Sequence, residues 1–282
     1  MRPPRSEDAP AVLALMELHS PEPIDMVWLE REWSEPGFDL EADARLTDDA
    51  FVSVWDARGK AWLSLHGDPD ADLLAWAESR AREKGLTRAL AGGWKEHDSV
   101  KRLLADSGYA AIRHSWQMRV VLADVGEEPI WPEGVTVRTF RPGDERTFYE
   151  VNQETFEDHW EHTQPDPYDE WAHWLLQPPV FEPDLWLIAE QDGEPAGIEI
   201  NHPRPELPGV GWVGILGVRR AWRRRGLGRA LLLQAFEQFR GRGFTEVGLG
   251  VDAASLTGAT RLYESVGMRV TAQFDIYEKQ LT

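Results

Sequence analysis

The residues best suited to chemistry stand in "RRRGLGRALL", Arg223 to Leu232. Three arginines run into Gly-x-Gly, and an apolar pattern of helical spacing follows at once. The first backbone N–H groups of a helix have no intrahelical acceptor, and the helix dipole adds partial positive charge there. Gly226 and Gly228 remove side chains, so an anion can approach the backbone. Arg223, Arg224, Arg225 and Arg229 surround that point with charge. This order of residue types describes a diphosphate site. A dinucleotide fingerprint needs a third glycine where Leu231 stands, and no G-x-x-x-x-G-K-[ST] run is present. A nucleic-acid patch fits poorly with a formal net charge of −19, because phosphate contacts need net positive surface.

The elements that must hold this turn sit in a chain of 282 residues, enough for one or two domains. Hydrophobic residues make up 42% of it, sufficient for real cores. The absence of cysteine excludes disulfides, thiolate metal sites and a cysteine nucleophile. "MRPPRSEDAP" lacks the apolar stretch of a signal peptide, and no apolar run reaches the ~18 residues of a membrane span. The expectation is a soluble cytoplasmic protein. Fourteen tryptophans read as packing, or as the lining of a pocket.

Along the chain, Ala50–Asp56 and Lys60–Gly67 read as a strand pair, and Ala71–Gly85 as a helix with a glycine stop. "ADVGEEPIWPEG" breaks the pattern and reads as a linker. After it come a strand at Val135–Phe140, a helix in "PGDERTFYEVNQETFEDHW" and a hairpin at Leu185–Pro203 turning at Asp192-Gly193. An apolar strand with four glycines follows at Gly209–Val218, then a helix from about Gly226 to Arg240. A strand "TEVGLGVD", a helix "SLTGATRLYESVG" and a final strand close the chain. The halves look like copies: "GLTRAL" matches "GFTEVG", and "KRLLADSGY" matches "RLYESVGM".

The turn reads Arg-x-x-Gly-x-Gly. With "VGILGV" before it and "ATRLYESVGM" after it, the region from Val135 onward resembles the GCN5-related N-acetyltransferases (GNAT). The resemblance implies an α/β (α+β) protein of two tandem GNAT-like domains, each a mixed, mostly antiparallel sheet flanked by helices. Residues 135–282 would bind acetyl-CoA, 126–134 would link, and 1–125 would be a degenerate, non-catalytic copy. It further implies that the turn from Arg223 through Leu227 to Arg229 holds the pyrophosphate, and that Leu216, Gly217 and Val218 pair with the pantetheine arm beside a splayed gap. Val218 N–H would polarise the thioester, and Tyr263 would serve as general acid. One departure is Leu256, where many relatives carry an asparagine.

The implied reaction is direct transfer of acetyl to a primary amine of a small molecule, with CoA as product and no metal. It needs an acid, a base or water path, and donors for developing negative charge. Glu199 and Asp252 are the candidate bases. Glu154, Asp158, His159 and Trp160 are the candidate acceptor contacts, drawn from a helix rich in polar and aromatic residues. His159 and His162 could share a face as metal ligands, but no third ligand is suggested. The layout of this half is similar to the tandem-domain mycothiol synthases, which leaves a thiol-sugar amine open as acceptor. A non-catalytic acyl-CoA sensor and a protein-interaction scaffold are the rival readings. Neither nucleic acid nor membrane is expected as partner, and the protein is expected as monomer or homodimer.

Alignment of the halves on their glycines puts Asp68 opposite Gly226, Asp70 opposite Gly228 and Leu104 opposite Tyr263. "HGDPDAD" thus stands where "RRRGLGR" stands later. Its aspartates suit a helix start and repel a pyrophosphate. The D-x-D-x-D spacing lacks the glycine and distal glutamate of a calcium loop.

Overall fold

Local signals set most element boundaries in the computed structural model, which describes residues 1–160, 164–177, 180–255 and 258–281. Helix α1 (Ala9–Glu17) carries a proline in its first turn, where the missing N–H costs nothing. Asp25 caps α2 (Met26–Trp33) by accepting from the Val27 amide, and Asp39 caps the short α3 (Leu40–Asp43). Strand β1 (Ala44–Leu46) precedes the hairpin of β2 (Ala50–Asp56) and β3 (Ala61–Gly67). Asp70 caps α4 (Ala71–Glu83), and β4 (Arg88–Trp94), α5 (Asp98–Asp106) and β5 (Ala110–Val121) follow.

The pattern then restarts with β6 (Val135–Thr139), α6 (Glu145–Phe156) and α7 (Tyr168–Leu175). Strands β7 (Leu187–Gln191) and β8 (Glu194–Pro203) form the expected hairpin, with Asp192 and Gly193 both at positive φ. Strand β9 (Val210–Val218), α8 (Leu227–Gly241), β10 (Glu246–Asp252), α9 (Ala259–Ser265) and β11 (Arg269–Gln280) complete the set. None of the described helices is long and apolar enough to cross a membrane.

These elements form two compact units, and their boundaries differ from the expected 1–125, 126–134 and 135–282. One unit is Met1–Trp116 together with Ala272–Thr282, and the other is Gln117–Thr271. The reason is the partner of β11. Its residues Phe274 to Gln280 pair antiparallel with Trp94 to Arg88 of β4. Arg88 forms an ion pair with Glu278, and Lys279 with Glu78 at 2.7 Å. Gly92 is required there, since a Cβ would lie 2.2 Å from the Phe274 ring.

In the first unit the strands run β1-β2-β3-β4-β11. One sheet face packs on α4 and α5 through Leu63, Leu65, Leu74 and Leu104, and the other meets α1 and α2 through Phe51, Val12 and Leu29. In the second unit the order is β10-β9-β8-β7-β6, antiparallel except for the β9–β10 pair. Ile198 and Ile200 pack under α6 and α7 with Phe148, Trp171 and Trp186. On the opposite face Leu187, Ala189 and Ala196 meet Leu227 and Leu231 of α8. Alternation along β8 therefore puts Glu199 on the α8 face, between Leu187 and Leu216 in neighbouring strands.

Candidate active site

A fault in strand pairing opens the site. The β8–β9 register passes from Ile200↔Ile215 to Asn201↔Val213, which leaves Gly214 as an extra residue. On the other edge, β10 pairs with β9 from Glu246↔Val210 as far as Leu249↔Val213. Beyond that point β9 runs on to Val218 and β10 to Asp252 without pairing to each other. The Arg219 amide donates to the Ala196 carbonyl. By the alternation of an antiparallel ladder, the amides of Leu216 and Val218 then face away from β8, into the divergence.

Three elements converge at its end. A Cβ on Gly228 would lie 3.4 Å from Leu262 of α9 and 3.6 Å from Val218 of β9. Gly217 lies against α6, where a Cβ would sit 2.4 Å from the Thr155 hydroxyl oxygen. That hydroxyl donates to the Val151 carbonyl at 2.8 Å.

The turn before α8 adopts left-handed backbone at Arg224 (φ 62°) and Gly226 (φ 87°). No side chain caps the helix, and the Ala230 amide donates to the Gly226 carbonyl. The amides of Leu227, Gly228 and Arg229 are left without an intrahelical acceptor. The four arginines have separate roles. Arg223 is a bolt: it donates to the Val218 carbonyl and to Asp158, each at 2.9 Å. Arg229 pairs with exposed Glu127. Arg224 and Arg225 are exposed, and among the described residues neither has an ion pair.

Glu154 and Asp158 have a use that the sequence did not show. Glu154 pairs with Arg219 at 2.7 Å, and Asp158 accepts from both Arg220 (2.7 Å) and Arg223. Those two guanidiniums, Arg220 first, hold the Asp158 carboxyl down at about 2. The acids brace the arginine turn from the end of α6. That helix stops at Phe156, so Asp158, His159 and Trp160 lie beyond it. His159 is exposed with its ring 4.0 Å from that of Phe156, and Trp160 is half-buried. His162 and Leu256 lie outside the described residues.

Tyr263 of α9 and Glu199 of β8 are both buried. Neither Glu199 carboxylate oxygen has a hydrogen bond among the described residues, and burial pushes that carboxyl up to about 8. Burial, and secondly the charge of Glu199, push the Tyr263 phenol above its ordinary value. Tyr263 is therefore protonated at neutral pH and lies within electrostatic reach of Glu199. Asp252, at the end of β10, accepts from the Ala254 amide at 2.9 Å.

Sequence reasoning singled out the turn, Tyr263 and Glu199 as candidates. It missed Thr155, Arg219, Arg220 and Glu127, which brace the strand end and the turn. The glycines of "GVGWVGILGV" were the available signal for the bulge, since glycine inside a strand marks irregularity or close approach. Nothing local marks Thr155.

Residues 146–268 match the acetyltransferase (GNAT) family. A mycothiol acetyltransferase of Thermobispora bispora is 34% identical over 232 residues, covering 74% of this chain and 75% of the relative. One from Thermomonospora curvata is 36% identical over 262 residues, with 79% and 84% covered. Among solved structures, a GCN5-related N-acetyltransferase from Sphaerobacter thermophilus superposes with TM-score 0.77 at 31% identity, covering 99% of this chain and 95% of that one. A tandem GNAT protein from the clavulanic acid biosynthesis pathway shares the fold, with TM-score 0.72 at 16% identity over 100% and 97% of the chains.

Proposed function

Since the chain belongs to the GNAT family and is an acetyltransferase, we propose that its second unit transfers acetyl from acetyl-CoA to the primary amine of a small molecule. The observation that carries this is the divergence of β9 from β10, with the arginine turn and α9, the helix that carries Tyr263, at its end. Open strand-edge donors, an anion-ready helix start and a buried phenol suit a long ligand with a diphosphate at one end and a reacting group at the other. Acetyl-CoA would supply a thioester carbonyl open to attack by an amine.

The amides of Leu227, Gly228 and Arg229, with the side chains of Arg224 and Arg225, would hold the diphosphate. Arg223 fixes the turn to Val218 and Asp158, and Gly217 keeps the strand end close to α6. Leu216 and Val218 would offer their amides to the pantetheine arm, and the Val218 N–H to the carbonyl oxygen. Glu199 would take the proton lost by the acceptor amine, through water because the side chain is fully buried. Its raised pKa suits a base working near neutral pH. Tyr263 would give its proton to the departing sulfur as the carbon–nitrogen bond forms and the carbon–sulfur bond breaks.

His159 and Trp160, beyond the end of α6, remain the proposed acceptor contacts. Glu154 and Asp158 support the turn instead. The name shared by the curated relatives favours the amine of a thiol-sugar conjugate as acceptor. The first unit, with aspartates at its corresponding turn, would not transfer acetyl. Release of free thiol from acetyl-CoA, screened across amines that include the thiol-sugar amine, tests the reading. Release no faster than hydrolysis with every amine would overturn it.

A further inference from the structure

The first unit repeats the divergence and gives it different walls. Strands β3 and β4 pair in parallel from Ala61↔Ala89 to Leu63↔Ala91, and then β3 continues to Gly67 and β4 to Trp94 without pairing to each other. A cavity of about 180 Å³ opens there, walled by β3, β4, α2 and residues at the end of α1. The corresponding helix start is closed to anions. Asp70 caps α4, and Asp68 accepts from Ser99 and lies 3.3 Å from His19.

The cavity lining contains one carboxylate, Glu32, and no lysine or arginine. Glu32 is 9% exposed, and its Oε2 atom has no hydrogen bond among the described residues. Trp28, Trp62, Trp94 and Phe274 line the same space. The Phe274 ring stacks near Trp62 at 6.4 Å and meets Trp94 edge-on at 5.2 Å. His66 and His97 do not supply the missing charge. Both are driven down to about 4, mainly by burial, and so stay neutral. The Nε2 atom of His97 lies 2.9 Å from the Gly67 carbonyl, which makes that nitrogen a donor. His19 stacks on His97 at 3.9 Å.

Burial, and secondly Glu35, push the Glu32 carboxyl up to about 8, so the cavity alone favours its protonated form and a bound cation would favour its ionised form. A buried carboxylate with an unsatisfied oxygen is costly when ionised alone, and aromatic faces attract cations once water is excluded. We infer that this cavity binds a small organic ammonium ion, with Glu32 as its counter-charge and the tryptophans and Phe274 as its apolar and cation–π walls. The volume has room for about six to eight non-hydrogen atoms, judged from a 150 Å³ cavity that holds benzene. This site is separate from the proposed transferase site and does not depend on that reading.

The test uses the full-length protein, with choline and its neutral isostere 3,3-dimethyl-1-butanol as probes in isothermal titration. Choline should bind about ten-fold or more tightly than the alcohol, as expected for a desolvated cation–π contact plus an ion pair. Glu32→Gln should cut the preference to about two-fold or less while leaving thiol release from acetyl-CoA unchanged. Equal affinities in the native protein would overturn the inference, and that comparison needs no variant. Failure of both probes to bind would overturn it too. So would a preference that survives in Glu32→Gln, since it would place choline elsewhere.

Discussion

Glu199→Gln should make the protein more stable and less active, and both effects should depend on pH in a defined way. The side chain is fully buried, its oxygens lack hydrogen bonds among the described residues, and its pKa is pushed from 4.5 to about 8. Between those two values the folded state binds more protons than the unfolded state. Stability therefore falls as pH rises across that window, by at most about 1.4 kcal/mol per unit for one group. The whole window amounts to a ceiling of about 5 kcal/mol, which water penetration and local relaxation reduce. Glutamine has no such slope. Glu32 is also pushed up to about 8, mainly by burial, but it is present in both proteins and cancels in the difference. Urea unfolding from about pH 4 to about pH 9 should show a difference that is flat below about 4.5. It should then tilt steadily toward the variant and level off above about 8. In parallel, native kcat/KM should rise about ten-fold per unit toward pH 8, and the variant should lose that limb. Parallel stability curves would refute the raised pKa, and a limb that persists in Glu199→Gln would put the base elsewhere.

Tyr263→Phe should lower kcat by about 10²–10⁴-fold with little change in the KM for acetyl-CoA, as removal of a general acid does; steady-state kinetics decide it. Gly226→Ala forces a side chain into left-handed backbone at a cost of about 1–2 kcal/mol, and should raise that KM more than it lowers kcat. Joint replacement of exposed Arg224 and Arg225 by alanine should weaken coenzyme binding and flatten its salt dependence, with little change in thermal unfolding. Arg223→Ala should lower the unfolding temperature, because it frees the Oδ2 atom of Asp158 and the Val218 carbonyl. Similar thermal losses in both arginine variants would refute this division of roles.

The sequence was most legible where structure is decided locally. Asp192-Gly193 announced the β7–β8 hairpin, and Asp70 announced the start of α4, because turns and caps are written in adjacent residues. The turn at Arg223–Gly228 was legible for the same reason. Helix α2 was missed, and the buried Glu32 with it: Met26, Leu29 and Trp33 do fall at i, i+3 and i+7 and pack in the core, but eight residues are shorter than the window over which that period stands out. Alternation identified β11 but could not say that it pairs with β4, since period two fixes faces and not partners. Glu154 and Asp158 show the limit at the site. Acids near a cleft look like acceptor contacts until the arginines that face them from another segment come into view.

The partner of β11 also bears on synthesis. Growth from the N-terminus places β4 outside the ribosome long before residues 272–280 exist. The unit begun first is therefore finished last, after the unit encoded in its middle has every strand it needs. In the interval β4 presents an unsatisfied edge, the kind of surface that chaperones cover and neighbouring nascent chains can pair with. For the same reason, cleavage in the segment after β5 cannot yield two self-sufficient halves. The N-terminal fragment would regain its native edge only if residues 272–280 were returned to it, as a grafted strand or as a peptide supplied in trans.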